Sequence, residues 1–307
     1  MARTGHEPEI RMLRNVVGKV GNIEICRILD SYLLGETMQS WFPDFNREAV
    51  RAHEHWLCPT HYNPESGHFA MPVHSWLLRV GSYNVLIDTC MGNHKSRPGI
   101  GEMHMLENRY LERMADCGVS PEDIDFVLCT HLHVDHVGWN TRLANGRWVP
   151  TFPNAKYVIS RTEFEAAKEE AANPGSPPFL KAVFEDSIFP IVEAGNAYFV
   201  DDVQEFVDCL TLRPAPGHSP GHVRIELNSQ GERGVFSGDI MHSPVQVPFW
   251  NWSSRVCWDK AMSAKSRREL LEFCASENVL LLPAHFETPY VGRIKRSGES
   301  FAIDFGW

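Results

Sequence analysis

The sequence predicts an α/β fold of the αββα sandwich type, with two mixed β-sheets packed face to face and helices on both outer faces. Short apolar segments that are typical of strands recur throughout the 307 residues. Each strand-rich half ends in a segment typical of a helix and in a loop that carries histidine and aspartate. A duplicated unit of this composition favours a two-sheet sandwich.

The first half of the chain predicts one long strand and a hairpin. Residues 23–34 alternate irregularly between apolar and polar side chains, which indicates a strand. Trp76-Leu-Leu-Arg-Val80 and Tyr83-Asn-Val-Leu-Ile87 flank the pair Gly81-Ser82, which suits a two-residue hairpin turn. Asp88 follows at the strand end, and residues 124–129 and 155–160 predict two further buried strands.

The segment 37–60 has two interpretations. Trp41, Phe42, Phe45 and Trp56 lie among polar residues without a clear period. The segment is either helical and packed on the core, or an active-site flap, and the sequence leaves both open.

Three helices are predicted along the chain. Residues 161–172 form a charged helix whose Glu and Lys side chains we expect on a solvated face, and Asn173-Pro-Gly-Ser-Pro-Pro178 ends it. Asp259 can cap a helix that runs to about residue 275. Four strands are predicted between these two helices, at residues 197–200, 209–212, 223–227 and 234–237. The remaining helix is amphipathic and is indicated by a core stripe at three- and four-residue steps: Met103, Leu106, Tyr110, Met114 and Cys117.

The densest chemistry lies between Thr130 and Asn140, which read Thr-His-Leu-His-Val-Asp-His-Val-Gly-Trp-Asn. Chance grouping is the alternative, because the chain has 15 histidines. Four imidazole or carboxylate side chains directly after an apolar strand favour a metal site instead, since burying unpaired polar side chains is costly. Imidazole and carboxylate ligands suit zinc, iron or manganese rather than calcium or magnesium. The four metal-competent side chains are His131, His133, Asp135 and His136.

Three later segments each place one candidate ligand just beyond a strand end. They are Gly217-His-Ser-Pro-Gly-His222, Val235-Phe-Ser-Gly-Asp239 and Val279-Leu-Leu-Leu-Pro-Ala-His285. Strand-end loops that gather at one edge of a sheet are where such folds build a site. The candidate ligands are His218, Asp239 and His285, whereas His222 is expected to support its loop.

The pattern His131-x-His133-x-Asp135-His136, followed by His218, Asp239 and His285, resembles the metallo-β-lactamase superfamily in its two-metal hydrolase form. The resemblance extends from Trp76 to His285. It implies two divalent metal ions, with zinc expected and manganese, cobalt or iron as alternatives. By this resemblance His131, His133 and His218 would hold metal one, while Asp135, His136 and His285 would hold metal two. Asp239 and a hydroxide would bridge both.

Within the superfamily, the chain resembles the branch of acyl-homoserine lactonases, pyridoxolactonase-like enzymes and methyl parathion hydrolase-like enzymes. Class B β-lactamases typically carry Cys at the position of Asp239, and di-iron flavoprotein relatives carry a carboxylate at the position of His133. The resemblance implies a hydrolase that uses the bridging hydroxide to open lactones or cleave esters of small molecules. Asp135 would shuttle the proton to the leaving group.

His242 departs from the lactonase pattern. Many homoserine lactonases have Tyr three residues after the bridging Asp, where this chain has His242. We expect His242 to donate a hydrogen bond to the substrate oxygen, and the alternative is a loop histidine satisfied by backbone. The aromatic residues Phe249, Trp250, Trp252 and Trp258 form either an apolar pocket wall or loop packing.

Rival functions remain at the level of sequence. An organophosphate triesterase would use the same site. A persulfide dioxygenase-like iron oxidoreductase shares the fold, and metal identity and oxygen consumption would distinguish it. A catalytically silent binding module is disfavoured because the ligand pattern is complete.

The global composition predicts a single domain over residues 1–307 and a small-molecule substrate. The net charge of −10 argues against a nucleic-acid partner, whose phosphates require a basic face. No apolar stretch is long enough for a membrane helix, and residues 1–8 lack a hydrophobic signal core. Eight scattered cysteines without a Cys-x-x-Cys pair favour free thiols and a cytoplasmic protein. A homodimer is left open.

Overall fold

Two seven-stranded sheets make up most of the computed structural model, which describes residues 16–306. The expectation about a signal core in residues 1–8 lies outside the described residues. The strands of the first half are β1 (Val16–Val20), β2 (Ile23–Leu33), β3 (Met71–Val80), β4 (Tyr83–Ile87), β5 (Phe126–Leu128), β6 (Thr141–Ala144), β7 (Arg147–Pro150), β8 (Lys156–Ser160) and β9 (Ala197–Val200). Those of the second half are β10 (Gln204–Phe206), β11 (Leu210–Pro214), β12 (Val223–Ser229), β13 (Glu232–Phe236), β14 (Leu280–Leu282), β15 (Gly292–Ser297) and β16 (Ser300–Phe305).

Eight α-helices accompany these strands in the described part of the chain. They are α1 (Met38–Trp41), α2 (Arg47–Val50), α3 (Glu54–Leu57), α4 (Tyr110–Asp116), α5 (Arg161–Ala172), α6 (Pro178–Val183), α7 (Phe189–Glu193) and α8 (Lys260–Glu277). A π-helical turn, Phe184–Ile188, joins α6 to α7. The Asp259 side chain accepts a hydrogen bond from the Met262 amide at 2.9 Å and caps α8 as predicted. Among residues 16–306, no helix is long and apolar enough to cross a membrane.

Both sheets are mixed. The first has the order β1-β2-β3-β4-β5-β8-β9, antiparallel up to β4 and parallel beyond it. The second runs β10 to β16 in chain order and is parallel only between β13 and β14. Strands β11 and β13 are both antiparallel to β12, and β14 is parallel to β13. These three strands therefore run in the same direction, and their C-terminal ends lie at the same edge of the sheet.

Three apolar layers hold the sandwich together. Between the sheets, Leu78 and Leu128 of the first sheet are in one buried cluster with Ile225 and Phe236 of the second. The outer face of the first sheet packs against α4 and α5, and the outer face of the second packs against α8. Burial of these faces favours the fold by removing apolar surface from water. The predicted αββα sandwich is therefore confirmed.

The predicted amphipathic helix over Met103 to Cys117 is wrong in its first half. Only α4, Tyr110–Asp116, is helical, while Gly101–Met103 forms an isolated 3₁₀ turn. The intervening backbone bonds to the preceding loop instead, since the Met105 amide donates to the Lys95 carbonyl at 2.8 Å. Met105 itself has a φ of 51°, a left-handed conformation that ends any continuous helix.

The segment 37–60 consists of short helices that pack on the core. Phe42, Val50 and Leu57 have no exposed surface. The packing interpretation is therefore seen directly, and a flap movement of the segment stays a prediction.

Candidate metal centre

Every predicted ligand lies in a loop that begins where a strand ends. The segment His131 to His136 follows β5, His218 follows β11, Asp239 follows β13 and His285 follows β14. The common edge of β11, β13 and β14 brings three of these loops together, and the loop after β5 meets them there. All seven predicted ligand residues are brought together.

Asp239 lies at the middle of this cluster, with its two carboxylate oxygens directed at different histidines. Oδ2 is 3.2 Å from Nε2 of His218 and 3.7 Å from Nε2 of His131. Oδ1 is 3.1 Å from Nε2 of His136 and 3.0 Å from Nε2 of His285. One carboxylate therefore faces two separate groups of donors.

The two groups have different chemistry. In the first, His133 Nδ1 lies 2.8 Å from His218 Nε2, and His131 completes a group of three imidazoles. In the second, Asp135 Oδ2 lies 3.6 Å from Nε2 of both His136 and His285. In each group the donor atoms lie within 4.8 Å of one another. The first group thus consists of imidazoles alone, whereas the second adds the carboxylate of Asp135.

Unpaired buried atoms show that divalent cations suit these groups. Nε2 of His131, His136 and His285 and Oδ1 of Asp239 are buried without a hydrogen-bond partner among the described residues. Such buried polar atoms need a partner, and an ion is one explanation. Imidazole nitrogen with carboxylate oxygen is the donor set of zinc and related divalent metals.

The electrostatics differ between the two donor groups. Burial alone would raise the pKa of Asp239, but the imidazoles of His136 and His285 outweigh it and hold that pKa well below its usual range. Burial, aided by neighbouring imidazoles, holds the pKa of His131 and His218 well below 6.5. The Asp239 carboxylate and the neutral imidazoles of His131 and His218 are therefore present at pH 7. For His136 and His285, burial is outweighed by the neighbouring carboxylates, which raise the pKa of both rings, so a cation bound there would displace their protons.

Asp88 braces the loop that carries four of the ligands. Its Oδ1 accepts from the Thr130 amide at 2.8 Å, and its Oδ2 accepts from the Thr130 hydroxyl at 2.7 Å. The same Oδ2 lies 2.9 Å from Nδ1 of His136. An outer carboxylate of this kind fixes the ring so that Nε2 faces the site. Asp88 thus connects the end of β4 to the second group.

Glu163 joins two ligand loops, and the sequence interpretation missed it. We expected the Glu and Lys residues of α5 on a solvated face, but Glu163 is only 4% exposed. Oε1 accepts from the Leu132 amide at 3.1 Å, and Oε2 accepts from the Ser219 hydroxyl and the Gly221 amide, both at 2.8 Å. A Cβ on Gly221 would lie 2.2 Å from the Glu163 amide nitrogen, so only glycine permits this approach.

His222 supports the Asp239 loop, as expected. Its ring is fully buried, and Nε2 accepts a hydrogen bond from the Asp239 amide at 3.0 Å. Gly238 has a φ of +48°, and a Cβ there would lie 2.7 Å from the same Nε2. The Gly-Asp pair therefore lets the backbone turn tightly under the imidazole.

His242 lies beside the cluster and faces its cavity. Nε2 is 3.2 Å from Asp239 Oδ2, and the ring meets Trp41 edge-on with centroids 5.4 Å apart. Neither ring nitrogen has a hydrogen-bond partner among the described residues, so the interpretation of a ring satisfied by backbone is wrong. His218, Asp239 and His242 form a third metal-competent trio, which the sequence reasoning did not anticipate.

A cavity of about 350 Å³ opens above the cluster. Six polar side chains of the cluster line it: His133, Asp135, His218, Asp239, His242 and His285. Most of the remaining lining is apolar, with one arginine and three glutamates. These lining residues are Leu33, Trp41, Met71, Ile100, Met103, Val134, Phe179, Leu180, Val256, Glu36, Glu102, Glu170 and Arg255.

The aromatic residues after Asp239 pack the loop and do not line this cavity. Phe249 stacks on Trp252 with centroids 4.1 Å apart, and Trp252 packs edge-on against Phe45. Trp258 is 59% exposed. Loop packing is thus the correct interpretation for Phe249 and Trp252, whereas the exposed Trp258 lines a neighbouring pocket with His133 and His218. Trp41 and Phe179 supply the aromatic rings of the cavity.

The fold and the site together define a metal-dependent hydrolase class: a sandwich with a histidine- and aspartate-rich centre at one sheet edge. A family model described as the metallo-β-lactamase superfamily matches residues 69–273. The chain belongs to the metallo-β-lactamase superfamily, and it is a hydrolase of that superfamily.

Curated relatives are distant. An N-acyl homoserine lactonase of a Bacillus species is 25% identical over 226 residues, which cover 70% of this chain and 81% of the relative. The N-acyl homoserine lactonase AttM of Azorhizobium caulinodans is 32% identical over 110 residues, or 34% of this chain and 36% of the relative.

Solved structures share the fold over nearly the whole chain. AidC, a dizinc quorum-quenching lactonase in complex with a product, has a TM-score of 0.73 at 22% identity and covers 94% of this chain and 95% of its own. A probable metal-dependent hydrolase from Staphylococcus aureus has a TM-score of 0.74 at 23% identity, covering 93% and 98%. At these identities the likeness establishes the fold.

Glu163→Ala should destabilise the protein and loosen the centre. The variant leaves the Leu132 and Gly221 amides without their acceptor, and each unsatisfied buried donor costs about 1–3 kcal/mol. Urea unfolding should show the loss in the free energy of unfolding, and metal titration should show weaker binding. Glu165→Ala, at an exposed position of the same helix, is the control and should change neither. Equal behaviour of the two variants would contradict the bracing role.

Proposed function

We propose that this protein opens lactones and cleaves esters of small neutral molecules at a centre of two divalent metal ions. The observation that carries the proposal is Asp239, whose two carboxylate oxygens face two separate donor groups beneath an apolar cavity. A single cation would need only one of these groups.

The residues that would hold the cations follow from the geometry. His131, His133 and His218 would hold the first, Asp135, His136 and His285 the second, and Asp239 would contact both. Bound divalent cations polarise a carbonyl oxygen and lower the pKa of a shared water toward neutrality. Zinc is the proposed metal, because each group offers a small number of imidazole nitrogen and carboxylate oxygen donors, as zinc sites in proteins do.

Two side chains are placed to act on the substrate. Asp135 lines the cavity, so its carboxylate can take a proton from the attacking water and return it to the leaving alkoxide as the carbon–oxygen bond breaks. Burial lowers the pKa of His242, so its ring is neutral at pH 7 and carries one N–H. That N–H would donate to the substrate oxygen as negative charge develops there.

The cavity lining favours an uncharged substrate. Arg255 is already paired with Glu36 and lies over the Trp41 ring at 5.1 Å, so its charge is largely compensated. Glu102 and Glu170 add negative charge to the same wall. Apart from the proposed cations, this wall offers an anionic group no uncompensated positive side chain, whereas a neutral lactone with an apolar chain suits the mostly apolar lining. The lactonase relatives from Bacillus support the same choice.

Neutral phosphotriesters satisfy the same charge requirement and are the second candidate substrates. An iron oxidoreductase is the third class, and the presence of two donor groups on either side of Asp239 favours hydrolysis over it. Metal content and oxygen consumption distinguish these classes.

The function is tested on purified protein with a panel of lactones, aryl esters, thioesters, β-lactams and phosphotriesters. We expect about two metals per chain, turnover of neutral lactones and esters, and loss of turnover after treatment with a chelator. Because no protein nucleophile is required, Zn²⁺, Mn²⁺ or Co²⁺ should restore activity. Full activity of the metal-free protein, or oxygen consumption without hydrolysis, would overturn the proposal.

Asp135→Asn should lower kcat far more than it raises KM. The carboxamide can still contact a cation through its oxygen, but it cannot take up and return a proton. Steady-state kinetics and metal content are measured on the same preparation. An unchanged kcat with both metals retained would exclude the proton-transfer role.

His242→Ala should lower kcat by roughly 10²–10³-fold, the range for loss of one oxyanion donor. His242→Tyr should restore part of that loss, most visibly on lactones. The control is His61→Ala, because His61 is equally buried but stacks on Phe305 instead of lining the cavity. That control should lower thermal stability with kcat nearly intact. If His242→Ala behaves in the same way, His242 only packs.

A further inference from the structure

The four proposed ligand histidines that direct Nε2 toward Asp239 differ in the partner that holds Nδ1. His136 Nδ1 lies 2.9 Å from the Asp88 carboxylate, and His285 Nδ1 lies 2.8 Å from the Pro72 carbonyl oxygen. In the first group the partners are weaker. His131 Nδ1 lies 3.1 Å from the Thr130 hydroxyl oxygen.

His218 has the weakest partner, a thiol. Its Nδ1 lies 3.7 Å from Sγ of Cys257, which is partly buried and unbridged. Sulfur is a weak acceptor that forms longer hydrogen bonds than oxygen. When Nε2 of an imidazole binds a cation, Nδ1 carries the proton, so His218 would donate to the sulfur.

The surroundings of Cys257 turn the sulfur lone pairs toward His218. The thiol donates to Oγ of Ser263 at 3.4 Å. The same Oγ accepts from the guanidinium of Arg267 at 3.4 Å, and Arg267 has no exposed surface. With its proton directed at Ser263, the thiol can only accept from its other two neighbours, His218 and the Ser254 hydroxyl, whose oxygen lies 3.2 Å from the sulfur.

Two backbone hydrogen bonds fix the distance between the two loops. The Trp258 amide donates to the His218 carbonyl, and the Asp259 amide donates to the Gly217 carbonyl, both at 2.9 Å. A Cβ on Gly217 would lie 2.1 Å from the Ser263 amide nitrogen, so the loops meet without intervening side chains. Cys257 is therefore held beside His218 by the fold and not by a chance rotamer.

We propose that Cys257 is a positioning residue for the first donor group, and that its weak acceptor makes this group bind its cation less tightly than the second. The second group also has the additional carboxylate of Asp135, which acts in the same direction. The inference rests on the proposed ligand role of His218, not on the identity of the substrate. It predicts stepwise loading, with the second group filled first.

The test is zinc titration of the full-length metal-free protein against a chromophoric chelator, with no substrate present. Histidine side-chain ¹H–¹⁵N signals during the titration show which group fills first. Cys257→Ala should weaken the second-filled site by about 10–100-fold, the usual effect of losing an outer partner, and leave the first-filled site unchanged. Cys257→Ser retains an acceptor and should lose less than about tenfold.

Cys209→Ala is the matched control, because Cys209 is also partly buried but lies at the opposite end of β11. It should leave both affinities unchanged. Three outcomes would each overturn the proposal. They are equal zinc affinities at the two sites of the parent protein, an equal fall of affinity at both sites in Cys257→Ala, and no change of affinity in Cys257→Ala. Failure to hydrolyse lactones leaves these binding results unaffected, so the two proposals fail separately.

Discussion

The structure depends on keeping one buried carboxylate, Asp239, charged in the interior of the sandwich. A carboxylate that is 3% exposed carries a large desolvation cost unless charges or donors surround it. The five imidazoles around its oxygens and the His222 ring beside its amide meet that requirement only if four loops converge. The order of the strands follows the same need, since β11, β13 and β14 must end at one edge.

Convergence of the loops is not sufficient, because each loop must also be fixed in position relative to the others. Asp88 holds the loop after β5 from the side of β4, and Glu163 connects that loop to the one after β11. Both are buried carboxylates that accept backbone N–H groups, a role that hydroxyls or amides satisfy less strongly. The ligand loops are thus held together by hydrogen bonds that require no cation, and such preorganisation reduces the entropy that binding must overcome.

The ligands could be predicted from sequence because their signal is local. His131, His133, Asp135 and His136 are adjacent in the chain, and each later ligand directly follows an apolar strand. The braces lack such a signal. Glu163 contacts Ser219 across 56 residues of sequence, and Cys257 meets His218 across 39. A glutamate in a charged helix has the same local pattern whether it faces water or a ligand loop, so only the tertiary structure separates the two cases.

The cavity wall was least predictable, for a related reason. Its apolar side chains come from strand ends, short helices and loops that lie far apart in the chain, and their meeting at one cavity depends on tertiary contacts. Met103 looked like part of a helical stripe, yet the backbone after it bonds to the Lys95 carbonyl and leaves the side chain at the cavity. Conversely, Phe249 and Trp252 stack on each other, and the aromatic rings of the wall are those of Trp41 and Phe179. Reaction chemistry is therefore encoded in short motifs at strand ends, whereas substrate choice is encoded in long-range packing, and similar motifs can serve different substrates.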